Sequence, residues 1–180
     1  MYISAEAAGA EDGHPGMSSH AAFEEFYGGA VGRLLGQLLL VTGDLHEAEE
    51  VVQEAFARAF LHWSRLRDYE VPEAWVRRVA MNLAAERARR LRRRARALLR
   101  AGPPPHAPQV SVEALDLLAA LRTLPIRQRQ VLVLHHLVGM PVEEVARTLS
   151  LPGGTVKSAL ARGRRALAVL LEDLEEVPGS

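Results

Sequence analysis

The sequence has no cysteine, no long apolar run and no excess of charge of either sign. With 0 cysteines in 180 residues, a disulfide framework, a thiolate zinc site and a cysteine nucleophile are excluded. The most apolar stretch, Leu34 to Val41, is much shorter than the roughly 18 residues that a membrane span requires. The amino terminus also lacks the basic start and apolar core of a secretory signal. We therefore expect a soluble protein of the cytoplasm.

The zero net charge conceals a strong asymmetry along the chain. Residues 1–60 carry 10 acidic and 2 basic side chains, whereas residues 61–100 carry 4 acidic and 12 basic ones. Such local fields indicate partners of opposite charge more directly than the overall balance does. Apolar residues make up 48% of the chain, so a packed core is also expected.

The spacing of apolar residues predicts an all-α fold of two helical modules joined by a Pro-rich linker. Asp44 and Glu47 fit a capping box at the start of a second helix. A loop is predicted from Arg65 to Val71, and a long helix from Glu73 toward Arg100. The predicted divisions are a disordered tail (1–17), a first module (18–100), the linker (101–111), a second module (112–176) and an exit tail (177–180).

The second module contains the pattern of a helix-turn-helix. A short helix from Val142 to Leu149 precedes a corner at Ser150 and Pro152, and a longer helix follows from Gly153. Short polar groups near a helix start, followed by arginines, suit the base edges and phosphates of a major groove. A merely solvated basic face is the alternative. The candidate DNA-binding residues are Thr155, Lys157, Ser158, Ala161, Arg162, Arg164 and Arg165.

Two features of the first module also indicate nucleic acid. The long helix carries eight arginines between Glu86 and Arg100, a density that indicates a polyanion or an acidic surface, with a merely solvated helix end as the alternative. Trp63, Tyr69 and Trp75 surround the predicted loop and are candidates for stacking unpaired bases, although core packing is the stronger alternative. The acidic second helix is a candidate docking face for a basic protein, and a merely solvated face is the equal alternative.

No pattern in the chain points to catalysis or to a bound metal. His135 and His136 are adjacent, so they lie about 100° apart on a helix and are poorly placed to share one metal ion. No phosphate loop, nucleophile elbow or paired-carboxylate arrangement is present. We therefore expect no enzyme activity, no metal and no cofactor.

Four segments and the helix-turn-helix together resemble the extracytoplasmic-function (group 4) sigma factors of the sigma-70 family, of the actinobacterial sigma-E-like type. The resemblance covers about residues 20–100 and 112–172. The segments occur in order: FEEFY at 23–27, TGDLHEAEEVVQEAF at 42–56, AWVRRVAMNLA at 74–84 and LPIRQRQVL at 124–132.

The resemblance implies three binding surfaces. By this resemblance, docking on the β′ clamp helices of core RNA polymerase is assigned to Glu49, Glu50, Val52, Gln53 and Phe56. Recognition and opening of the −10 promoter element is assigned to Tyr69, Trp75, Arg78, Asn82, Arg87 and Arg90. The recognition helix residues given above would read the −35 element, and the β flap of the polymerase would hold the second module. The resemblance also implies passage of the linker near the active cleft and a possible anti-sigma partner.

The chain departs from the family pattern at a few positions. Family members often carry arginine where Ala159 stands and a larger residue where Ala161 stands, and His135 and His136 replace a more usual Arg/Tyr-containing stretch. Two other functions remain open on the residues alone. One is a helix-turn-helix regulator that binds duplex DNA without polymerase. The other, a metal-dependent helical hydrolase, lacks suitable ligand spacing.

Overall fold

The computed structural model describes residues 19–98 and 112–175, and within these residues all regular structure is helical. This confirms the predicted fold class. The predicted tails and linker lie outside the described residues. The helices are α1 (Ser19–Thr42), α2 (Leu45–Leu61), α3 (Trp63–Leu66), α4 (Pro72–Leu98), α5 (Val112–Thr123), α6 (Ile126–Leu132), a π-helical turn (Val133–Leu137), α7 (Val142–Leu149) and α8 (Gly153–Glu175).

A tight corner joins α1 to α2 and contains the Asp44 half of the predicted capping box, while the Asp44 N–H donates to Thr42 Oγ1 at 3.3 Å instead of to the Glu47 side chain. Gly43 has φ +79°, a left-handed conformation that glycine adopts without steric cost. Asp44 Oδ1 then accepts a hydrogen bond from the Glu47 backbone N–H at 2.8 Å, which satisfies one of the unpaired donors at the start of the helix. The corner holds the acidic helix α2 against α1.

Helix α4 packs against both α1 and α2. Its apolar face includes the buried residues Val76, Ala80 and Met81. At about 1.5 Å per residue, its 27 residues extend about 40 Å, so the arginine-rich end continues past this core. The described side chains of that end, as far as residue 94, are mostly exposed.

The short helix α3 is the main difference from the sequence prediction in the first half. The sequence predicted a loop from Arg65, but a helical turn runs from Trp63 to Leu66. It forms because Trp63 is buried against the rings of Phe23 and Phe26, at centroid distances of 5.2 and 5.0 Å. Trp63 is therefore a core residue and does not present its ring to an unpaired base.

The second half contains the predicted helix-turn-helix. Helix α7 ends at Leu149 and is followed by the cap residue Ser150, which has φ 53° and ψ 48°, and α8 begins after Pro152. Val145 and Leu149 of α7 and Val156 of α8 are buried between the two helices. The chain between α6 and α7 adopts a π-helical turn that the sequence did not predict.

Both halves of the described chain contribute to one continuous core. Leu34, Leu38 and Met81 from the first half belong to the same apolar cluster as Val133 and Leu134 from the second. No helix in the described ranges is long and apolar enough to cross a membrane.

Candidate nucleic-acid interfaces and docking face

The exposed face of α8 contains every residue that the sequence selected for DNA binding. The inward face packs through Val156, Ala159, Leu160 and Gly163. The outward face is open to solvent from the first turn onward. It carries the full candidate set of Thr155, Lys157, Ser158, Ala161, Arg162, Arg164 and Arg165.

Close packing against α6 determines which face of α8 points outward. A Cβ atom at Gly163 would lie 2.8 Å from Cδ1 of Leu132, so glycine allows the two helices to approach closely. Ala159 is 4% exposed, which gives a physical reason for one departure from the family pattern. In this chain position 159 is a packing position, and its small side chain contributes to the core rather than to the outward face.

The basic side chains of α8 have no ion-pair partner among the described carboxylates. This holds for Lys157, Arg162, Arg164 and Arg165 within residues 19–94 and 117–169, whose side chains the structure describes. Unpaired guanidinium groups suit guanine edges and phosphates, because each offers a fork of N–H donors. The positive face of α8 is therefore available to a polyanion.

A second candidate site is a cavity of about 230 Å³ between α3 and the start of α4. The sequence pointed to Tyr69 and Trp75, and both line this cavity. It did not point to His62, Arg65 or Leu66, which complete the wall. These three residues reach Trp75 only because of the helical turn α3. No local sequence pattern predicted that turn, so the sequence did not indicate them. An aromatic and cationic wall of this kind can receive a planar base by stacking and hydrogen bonding.

The outer face of α4 continues from this cavity. Trp75, Arg78 and Asn82 follow one another at helical spacing, and Arg78 and Asn82 are exposed. Arg78 Nη2 donates to Ser150 Oγ at the helix-turn-helix corner, at 3.1 Å. Four of the six residues assigned to the −10 element therefore form one surface: Tyr69, Trp75, Arg78 and Asn82.

The other two residues assigned to the −10 element are engaged in ion pairs. Arg87 contacts Glu50 Oε2 at 2.6 Å and Glu54 Oε2 at 3.1 Å, and Arg90 pairs with Glu86. Arg87 thus faces the acidic side of α2. The structure brings it to the candidate docking face rather than to the cavity of Tyr69 and Trp75.

The candidate docking face on α2 is smaller than the sequence implied. Glu49, Glu50 and Gln53 are exposed. Val52 and Phe56 are 2% and 3% exposed, so their side chains hold α2 in the core and are not offered to a partner in this conformation. The family resemblance assigned the docking role to a continuous segment of α2, and such a segment includes core positions. This is why Val52 and Phe56 were selected together with their exposed neighbours.

His135 has a structural role in the π-helical turn. Its Nδ1–H donates to the Met140 backbone carbonyl at 2.7 Å, and the Val138 N–H donates to the Val133 carbonyl. The described residues contain no group of three or more His, Asp or Glu side chains placed to hold a metal ion.

Two family models match the chain over most of its described length. The model for sigma-70 region 2 matches residues 27–94, which run from α1 into α4. The model for sigma-70 region 4 matches residues 114–167, which run from α5 into α8. The chain belongs to the sigma-70 family.

Similar proteins of known type indicate which group of sigma factors this chain belongs to. It is 34% identical to the RNA polymerase sigma-E factor of Streptomyces coelicolor, over 88% of this chain and 89% of that protein. It is 30% identical to the extracytoplasmic-function sigma factor SigW of Bacillus subtilis, over 73% of this chain and 79% of that protein. The chain is therefore an extracytoplasmic-function RNA polymerase sigma factor.

Solved structures agree with the fold of this sigma factor. The sigma factor RpoE, solved in complex with the anti-sigma factor NepR from Bartonella quintana, gives a TM-score of 0.63 at 24% identity, over 84% of this chain and 97% of that chain. CnrH, solved in complex with the cytosolic domain of CnrY, gives a TM-score of 0.59 at 27% identity, over 86% and 90%.

Proposed function

We propose that this sigma factor is a non-catalytic promoter-specificity subunit in which α8 reads the −35 element and the α3–α4 surface reads the −10 element. The observation that carries the proposal is the outward face of α8, where four cations without a described ion pair follow a helix-turn-helix corner. Its functional units are residues 18–100 and 112–176, and it acts in the cytoplasm with RNA polymerase. It requires no cofactor or metal.

The −35 element is read by direct contacts in the major groove. Thr155, Lys157 and Ser158 lie in the first turns of α8, where a recognition helix reaches base edges. Arg162, Arg164 and Arg165 follow one or two turns later, at positions suited to guanine or phosphate. Ala161 leaves space beside them for a thymine methyl group.

The −10 element is read by capture of an unpaired base. The cavity between α3 and α4 offers the rings of His62, Tyr69 and Trp75 and the cation of Arg65. Taking a base from the stack costs a few kcal/mol, about what stacking on aromatic side chains returns. Arg78 and Asn82, on the adjacent exposed face of α4, then bind the strand that carries the base.

Core polymerase docks on α2 through Glu49, Glu50 and Gln53, and this surface faces the β′ clamp helices. The β flap holds the second module. Since two structural relatives were solved with an anti-sigma factor or with a partner's cytosolic domain, we include an anti-sigma protein among the partners.

The docking face is tested with Gln53→Ala and with the double variant Glu50→Ala and Gln53→Ala. We expect the double variant to bind core polymerase about 5- to 30-fold more weakly, which corresponds to a loss of about 1–2 kcal/mol for the two contact residues together. Glu25→Ala, an exposed glutamate on α1, is the control and should bind normally. Unchanged co-purification of the double variant would refute this face.

A gel shift with and without core polymerase separates the proposal from the regulator alternative. We expect tight, sequence-specific binding of promoter DNA only when core polymerase is present. A regulator of the ordinary helix-turn-helix kind would bind duplex DNA with the same specificity alone, and that result would overturn the proposal.

A further inference from the structure

A charged cleft of about 370 Å³ lies between the start of α2 and the arginine-rich half of α4. Its cationic wall consists of Arg87, Arg90 and Arg94 of α4, which recur every three or four residues and therefore share one side of the helix. That side lies about a third of a turn away from the side that carries Trp75 and Asn82. The cleft is therefore separate from the surface assigned to the −10 element.

The opposite wall of the cleft is mainly acidic and is supplied by α2 and its cap residue. Glu47 is half-buried and forms no ion pair among the described residues. Burial and the neighbouring Asp44 raise the pKa of Glu47, although Arg87 opposes the shift. A carboxylate in this position gains from a cation that a partner supplies. The side chains of this wall are Asp44, His46, Glu47 and Glu50.

The cationic wall also contains charge that the chain does not use. Arg87 is held by Glu50 and Glu54, at 2.6 and 3.1 Å. Arg94 is exposed and has no ion pair among the carboxylates that the structure describes. The cleft therefore offers a partner both a guanidinium and a carboxylate.

This mixture of charges favours a protein over nucleic acid as the partner. A phosphate backbone brought to Arg94 would enter a cleft lined by three carboxylates, and like charges repel. A protein surface can instead place an acidic side chain against Arg94 and a basic one against Glu47. Charge pairs of both signs also fix the register in which two surfaces meet.

The cleft is continuous with the face through which α2 is proposed to dock. Glu50 lines the cleft and also belongs to that face, and Glu49 and Gln53 lie beside it on the exposed side of α2. A protein that covers these three residues therefore reaches the mouth of the cleft. This continuity identifies the partner as the one that binds α2.

We propose that the α2–α4 cleft is a second part of the polymerase-docking surface, in which Arg94 binds an acidic side chain of core polymerase and Glu47 binds a basic one. The unpaired charge of Arg94 then serves the polymerase, although it stands in an arginine-rich helix whose other side faces DNA. This inference rests on the proposed function, because it takes core polymerase to be the partner of α2.

Charge reversal at two adjacent arginines tests the cationic wall. Arg93 and Arg94 are both exposed, but Arg93 does not line the cleft. Arg94→Glu and Arg93→Glu change the net charge equally, so long-range attraction to the polymerase changes equally. We expect Arg94→Glu to bind core polymerase, without DNA, at least about 10-fold more weakly, because like charges then meet in the interface. Arg93→Glu should stay within about 2-fold of the parent.

A neutral substitution tests the acidic wall. We expect Glu47→Gln to weaken the binding of core polymerase by about 3-fold or more, since it removes the charge that meets a basic side chain of the partner. The melting temperature of the free protein should stay at or above that of the parent. Burial disfavours the charged form of Glu47, so a neutral amide does not weaken the fold as the loss of a structural ion pair would. Glu24→Gln, an exposed change on α1, is the matched control.

The outcomes separate this inference from the proposed function. Equal affinities of the Arg93 and Arg94 variants for core polymerase would overturn the inference, and so would a parental affinity of Glu47→Gln. A loss of promoter affinity by Arg94→Glu at saturating core polymerase, with unchanged core affinity, would assign the cleft to DNA instead. Failure of the proposed function looks different, because the parent chain itself would then fail to bind core polymerase. Circular dichroism checks the fold, and Arg94→Gln replaces Arg94→Glu if the latter does not fold.

Discussion

The two basic helices of this sigma factor, α4 and α8, use their positive charge differently. On α4, Arg77 pairs with Glu73, Arg87 bridges to Glu50 and Glu54 on α2, and Arg90 pairs with Glu86. On α8, the four exposed cations have no ion-pair partner among the described carboxylates. Both helices are arginine-rich in sequence, but α4 commits part of its described charge to ion pairs while Arg89, Arg92, Arg93 and Arg94 stay exposed without one, whereas all four described cations of α8 are unpaired.

This difference teaches that the number of arginines on a helix overstates the charge available to a ligand. Arg87 helps to fasten α4 to α2, and its charge is offset by two carboxylates. Arg162 and Arg164 are exposed on either flank of α8, since Val156, Leu160 and Gly163 occupy the inward face. The comparison therefore assigns a structural share of the positive charge to the paired arginines of α4 and leaves the unpaired cations of α8 available for binding.

The largest expected effect comes from removing the charge on α8. With core polymerase present, we expect the double variant Lys157→Ala and Arg162→Ala to lose at least about 30-fold in affinity for promoter DNA, because each base contact contributes about 1–3 kcal/mol. Arg58→Ala, an exposed and paired arginine on α2, serves as the control. Full promoter affinity in the double variant would show that the exposed cations of α8 do not bind the promoter.

A second test measures how the affinity of the holoenzyme for promoter DNA depends on salt. Each phosphate contact contributes about 0.9 to the slope of log affinity against log salt concentration. We expect Arg164→Gln to reduce the slope by about that amount. Arg87→Gln should reduce it by clearly less, because the Arg87 guanidinium is already neutralised by Glu50 and Glu54. Equal reductions would contradict the division between the two helices.

The smallest expected effect is on the free energy of unfolding. Here the α4 variant should be affected more than the α8 variant, the opposite of the ranking for DNA binding. We expect Arg87→Ala to lower it by about 1 kcal/mol, since its two ion pairs are partly exposed and screened by solvent. Arg164→Ala should change it by about 0.5 kcal/mol or less, as an exposed substitution without a described partner. Urea denaturation of the full chain measures both. Equal stability losses would show that α4 has no greater structural share.

The helices and the outward face of α8 were predictable because local patterns determine them. The cap at Asp44, the corner at Ser150 and the inward positions Val156 and Leu160 all follow from spacing and residue type, and the structure confirms them. The seven residues selected on α8 are likewise all exposed. Their assignment to the −35 element stays a prediction.

The features that sequence reasoning missed depend on contacts between distant residues. The turn α3 forms because Trp63 packs on the aromatic rings of α1, and it creates the wall of His62 and Arg65 beside Trp75. The burial of Val52 and Phe56 and the pairing of Arg87 arise from the packing of α2 on α1 and α4. No sequence pattern within α6 predicts the hydrogen bond that Gln130 Nε2 donates to the Met81 carbonyl of α4.

The central claim is that α8 reads the −35 element while the α3–α4 surface reads the −10 element. Run-off transcription with core polymerase, on a promoter library randomised at both elements, tests it most directly when the wild type is compared with Arg162→Ala. We predict that the variant loses sequence preference at −35 positions and keeps it at −10 positions. A loss of preference at −10 positions, or an unchanged preference at both, would contradict the account.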